Sequence, residues 1–125
     1  MENSNYKVSQ PISLRGVHDI TICAVSINGG PSSCINLVNC YNVHIMHCEL
    51  VNSDQTGIKL TGCTNIIIDG CYVANVTSGI YSLNGVNIQV KNNTIKKLAP
   101  NGVSIMFECV GPGTTDASSC AIFNN

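Results

Sequence analysis

Apolar residues alternate with polar ones along this chain over spans of three to five residues, and Gly or Asn closes each span. Alternation at period two marks half-buried β-strands, because successive side chains point to opposite faces of a sheet. The alternating blocks recur at a shift of 22 or 23 residues. "ISLRGVHDITICAVSI" starts at Ile12, "INLVNCYNVHIMHCEL" at Ile35, "IKLTGCTNIIIDGCYV" at Ile58 and "IYSLNGVNIQVKNNTI" at Ile80, with an incomplete fifth copy, "VSIMFEC", at Val103. A fixed period of this length predicts a solenoid, with three short strands per copy.

Equivalent positions fall into columns: Ile12, Ile35, Ile58, Ile80 and Val103; Leu14, Leu37, Leu60 and Ile105; Ile20, Val43, Ile66 and Ile88. Two further columns are Ile22, Ile45, Ile68 and Val90, then Ile27, Leu50, Val73 and Ile95. No single copy can bury these side chains. Stacking the copies about 4.8 Å apart sets like on like in a continuous core. Asp19, Asn42, Asn65 and Asn87 precede the second strand of each copy, and such residues tolerate the left-handed backbone of a sharp bend. Cys34, Gly57, Gly79 and Gly102 fill a turn slot before the last four copies. In the fourth copy Ser82 falls in the Leu column unless Leu83 shifts in, so a bulge is predicted at "YSLNG". The insertions "NGGPSS", "NSDQTG", "NVTSG" and "KLAPNG" belong on one corner.

The pattern from Gly57 to Asn75, "GIKLTGCTNIIIDGCYVAN", resembles the right-handed parallel β-helix coils of the pectate-lyase-like superfamily of carbohydrate-binding and sugar-hydrolysing proteins. The resemblance covers residues 12–110 and implies an all-β, single-stranded right-handed parallel β-helix of about five coils. Residues 1–125 are expected to form one domain, with 1–11 an N-terminal cap or partial coil. Residues 111–125 are expected to start a further, open coil, because "SSCAIFNN" echoes "SSCINLVN" at Ser32–Asn39.

Composition narrows the function classes. Only 10% of the residues are charged and the formal net charge is -1. Six Lys and Arg without a basic run make a poor nucleic-acid footprint, so no nucleic-acid partner is expected. No apolar stretch approaches the roughly 18 residues of a membrane helix, and the polar start "MENSNYKVSQ" lacks the apolar region of a signal peptide, so no membrane partner is expected. The eight cysteines track the repeat: Cys40 and Cys63 share a column with Val17 and Gly85, and Cys48 and Cys71 share one with Val25 and Asn93. A cysteine that alternates with Val is used as a small apolar residue, which favours free core thiols and a reducing compartment over disulfides. No Cys-x-x-Cys pair suggests zinc, and neither a metal nor another cofactor is expected.

Candidate chemistry is sparse. General acid and base pairs for sugar hydrolysis need two carboxylates within about 10 Å. Glu2, Asp19, Glu49, Asp54, Asp69, Glu108 and Asp116 share no column, with Glu49 and Asp69 the nearest pair, so no catalytic residue is assigned. His18, His44 and His47 read as outward. The outward positions of the first strand, Ser13, Asn36, Lys59, Tyr81 and Ser104, make a polar row with one aromatic, suited to sugar hydroxyls and ring faces. Asn36, Lys59 and Tyr81 are therefore the candidate binding residues. Ile67 is the odd apolar residue in the outward row of Thr21, His44 and Gln89, and with Cys120, Ile122 and Phe123 of the open coil it is the candidate for contact between copies. Three function classes remain: a noncatalytic solenoid that self-associates, joins the rest of a longer β-helix or displays a surface; a carbohydrate-binding module; and a polysaccharide lyase or hydrolase.

Overall fold

The computed structural model describes residues 10–109 and 120–123. Every pairing between strands is parallel, as stacked copies of one motif require. The first coil contributes β1 (Ile12–Arg15), β2 (His18–Cys23) and β3 (Ser26–Gly30). The second begins with β4 (Ile35–Val38) and β5 (Tyr41–Met46). Next come β6 (Glu49–Thr61), β7 (Thr64–Asp69), β8 (Tyr72–Leu83), β9 (Val86–Lys91) and β10 (Thr94–Leu98). In β6 and β8 the third strand of one coil runs straight into the first strand of the next. As a result the first and third strands make one seven-stranded sheet, which also holds β11 (Ile105–Glu108). The second strands make the other sheet, ordered β2, β5, β7, β9 and β12 (Ala121–Phe123).

The columns carry the core. Ile35, Leu37, Val43, Ile45, Leu50, Ile58, Leu60, Ile66, Ile68, Val73, Ile88 and Val90 are fully buried, each opposite its equivalent one coil away. Four left-handed positions per coil turn the chain. They are Asn39, Asn42, His47 and Asn52 in the second coil, Gly62, Asn65, Gly70 and Asn75 in the third, and Asn84, Asn87, Asn92 and Lys97 in the fourth. Asn dominates these corners because its short polar side chain tolerates that conformation.

The structure corrects several expectations. The solenoid makes about four turns rather than five, since beyond the fourth only β11 and β12 are formed among the described residues. The fifth copy is also displaced by two residues: Ile105, not Val103, stands opposite Ile80, and Phe107, not Ile105, stands beside Ser82 in the Leu column. A wider corner causes this. Ala99 bonds back to Val76 and Gly102 closes a turn onto Ala99, which leaves Val103 outside the core at 42% exposure. Ser104 rather than Gly102 consequently precedes the fifth first-strand, and its carbonyl accepts from the Ile80 N–H.

No bulge forms at "YSLNG": Ser82 stays opposite Leu60 and is buried. The irregularity lies instead between Ser53 and Thr56, where the 23-residue spacing meets the 22-residue one, on the corner that bears the insertions. The segment Ala121–Phe123 lies on β9, in the second-strand slot, and not in the first-strand slot that the echo of Ser32–Asn39 implies. That sheet demands an apolar residue opposite Val90, and Ile122 supplies it. Most of the proposed cap at 1–11 and most of 111–125 lie outside the described residues.

Candidate binding face

Register places Ser13, Asn36, Lys59, Tyr81 and Met106 side by side on consecutive coils. Alternation within the strands points all five away from the core, so the structure brings Asn36, Lys59 and Tyr81 together on one face. Met106 takes the place expected of Ser104, a consequence of the displaced fifth copy. Two depressions flank this row and meet at Lys59. One, of about 220 Å³, is lined with hydroxyls and amides from Ser13, Ser32, Ser33, Asn36 and Gln55. The other, of about 310 Å³, has more apolar walls, among them Tyr81, Val103 and Met106.

The corner beside the row is well fixed. The Ser53 hydroxyl donates to the Ser32 carbonyl at 2.6 Å, and Gln55 Nε2 donates to the Pro31 carbonyl at 2.9 Å. Tyr81 is half-buried and its hydroxyl donates to Glu108 Oε1 on the next coil, which holds the ring in one orientation. The same hydrogen bond holds the Tyr81 proton and keeps its hydroxyl above the usual phenol range, with burial and then the Glu108 negative charge adding to it. Glu108 and Met106 escape the sequence because their role depends on the 25-residue spacing from Ile80 to Ile105, which the 22- to 23-residue repeat does not signal.

The other sheet presents a third depression of about 280 Å³ between two rows, Asn42, Asn65 and Asn87 on one side and His44, Ile67 and Gln89 on the other. Ile67 points outward as expected and is half-buried between these rows. His44 pairs in register with Thr21 and Ile67, and the His18 ring stacks on Tyr41 at 4.6 Å. Ile122 and Cys120 sit together on the last strand slot; for Phe123 only the backbone is described.

The carboxylates are dispersed. Glu49 opens β6 and accepts from Ser26, whereas Asp69 closes β7 on the other sheet and accepts from Asn92. Asp19 is engaged by His18 and Asn42, and Glu108 by Tyr81. Glu2 and Asp116 lie outside the described residues. Among the described residues no three His, Cys, Asp or Glu side chains gather as metal ligands would.

All eight thiols are free, and Cys34, Cys40, Cys48, Cys63 and Cys71 are buried. The Sγ atoms of Cys40, Cys48, Cys63 and Cys71 each lean on a carbonyl of the preceding coil, as Cys63 does on Leu37 O at 3.4 Å and Cys48 on Ile22 O at 3.6 Å. Burial pushes the Cys34 thiol up to about 11, and the neighbouring Cys48 sulfur together with burial pushes Cys71 up as well. Cys34 and Cys71, with their protons held this way, are packing groups rather than nucleophiles, while the Cys71 thiol draws its neighbour Cys48 down to about 7. In the fourth coil Asn93 takes the cysteine slot. It is buried and satisfied, with Oδ1 accepting from the Cys71 N–H at 2.7 Å and Nδ2 donating to Ile68 O at 3.1 Å.

The family model of the right-handed β-helix region matches residues 1–125. The chain belongs to the right-handed β-helix family. The match spans the whole β-helix and agrees with the parallel two-sheet stack and the repeated left-handed corners. No curated protein and no solved structure matches it. Among the described residues no helix is long and apolar enough to cross a membrane.

Proposed function

We propose that this β-helix is a noncatalytic module that holds an extended polysaccharide along its axis, on the face of Asn36, Lys59 and Tyr81. The observation that carries this is the pair of depressions meeting at Lys59, which together follow the solenoid axis from Ser13 to Met106. Coils about 4.8 Å apart repeat at close to the length of one sugar residue in an extended chain, so each coil offers one rung to each sugar. Tyr81 and Met106 supply apolar surface for a ring face, and Asn36, Gln55, Ser33 and Lys59 supply donors and acceptors for hydroxyls. The dispersal of Glu49, Asp69, Asp19 and Glu108 supports a holding role over a cleaving one. A glycan array followed by calorimetry tests this: Tyr81→Ala and Lys59→Ala are each expected to weaken binding roughly tenfold while melting temperature holds. Binding unchanged in both variants would sink the proposal, and reducing-sugar release by the native protein would replace holding with hydrolysis.

One observation favours a second role, association through the last coil with another copy or with further coils of a longer β-helix. Ile122 continues the core column of Ile22, Ile45, Ile68 and Val90 yet is 50% exposed. Cys120 beside it is half-buried, its Sγ 3.9 Å from Gly85 O. Light scattering over a concentration series is expected to show growing mass that Ile122→Lys abolishes; a strict monomer at high concentration refutes self-association.

A further inference from the structure

The bend row on the second sheet forms a hydrogen-bonded chain that runs one way. Asn87 Nδ2 donates to Asn65 Oδ1 at 2.6 Å, Asn65 Nδ2 to Asn42 Oδ1 at 3.2 Å, and Asn42 Nδ2 to Asp19 Oδ1 at 2.9 Å. At the base the other carboxylate oxygen of Asp19 lies 2.8 Å from His18 Nδ1, and the His18 ring is stacked on Tyr41 with an interplanar angle of 6°. A primary amide offers a donor on one side and an acceptor on the other. A ladder made only of amides therefore has two senses, with every rung donating toward the first coil or every rung donating away from it. An ionised carboxylate has no donor, so a ladder resting on one keeps a single sense.

We infer that Asp19 is a polarity-setting residue: it makes Asn42, and through Asn42 the rungs Asn65 and Asn87, donate toward the first coil, while His18 braces the carboxylate. The sequence assigns Asp19 only the bend, and its left-handed φ of 57° matches that of its three Asn equivalents, so the bend alone does not need the acid. What the acid adds is direction. The same three amides wall the depression opposite His44, Ile67 and Gln89. A choice made at the first coil thus fixes which polar atoms that wall offers two and three coils away. The device stands whether or not the first-sheet face binds a glycan.

Side-chain amide NMR at neutral pH tests it. In the native protein, couplings across the hydrogen bonds are expected from Asn42 Nδ2 to the Asp19 carboxyl carbon and from Asn65 Nδ2 to the Asn42 amide carbon, with one set of signals per rung. Asp19→Asn keeps the shape and the left-handed corner and restores the choice, so the three rungs are expected to give two sets or exchange-averaged signals while backbone signals of the first sheet stay in place. Couplings in the opposite sense, two sets in the native protein, or a single native-like set in Asp19→Asn would each overturn the inference. Native couplings in the opposite sense would overturn the inference even if the variant did not fold.

Discussion

Ser82 occupies a slot that Leu14, Leu37 and Leu60 fill in the other coils, and it shows how a repeat absorbs an exception. The lost volume is made up from the next coil, where Phe107 stands directly opposite it. The hydroxyl, however, is buried with no hydrogen-bond partner among the described residues. Leaving such a group unsatisfied costs about 1–3 kcal/mol, so Ser82→Ala is expected to stabilise the fold by about 1 kcal/mol in urea denaturation. Ala24 is a second exception. It is exposed and holds φ at 59°, in the corner that His47, Gly70 and Asn92 occupy elsewhere. A Cβ at this φ is strained, and glycine is not. Ala24→Gly is expected to raise stability by about 1 kcal/mol, measured the same way. Both positions are visible in the alignment of copies, but their energetic sign is not. The sequence leaves open whether Ser82 or Leu83 enters the core, and only the register shows that the polar residue does.

At the scale of elements, the strands are legible because their apolar residues alternate, and the corners between them because Asn and Gly recur. The joins are less so. Nothing in the alternation signals that β6 and β8 run through a corner without a break, because the continuity follows from neighbouring coils that pair on both sides of it. Gly57 lies inside this continuous strand, where a Cβ would come within 2.6 Å of Val73 Cγ1 and 2.8 Å of the Gly79 carbonyl. The second of these is backbone and has little room to yield. Gly57→Ala is expected to destabilise by about 1–3 kcal/mol, and an unchanged denaturation midpoint would show that the coils can separate locally.

At the scale of the molecule, each coil touches only its neighbours, so properties accumulate along one axis. The proposed binding face inherits this. If each coil meets one sugar residue, affinity is expected to rise with oligosaccharide length and level off near four or five residues, where the row from Ser13 to Met106 is filled. Calorimetry on a length series checks this; a plateau at one residue would mean a single local site. The sequence by itself determined the class of fold, the period, the core columns, the outward rows and the packing use of the cysteines. It could do so because each of these is a local choice repeated on every coil, so the copies vouch for one another. Only the tertiary structure decided the register of the last coil, the burial of Ser82, the Tyr81 and Glu108 pair and the direction of the ladder based on Asp19. Those features depend on what one coil does to the next, at places where the repeat itself is broken.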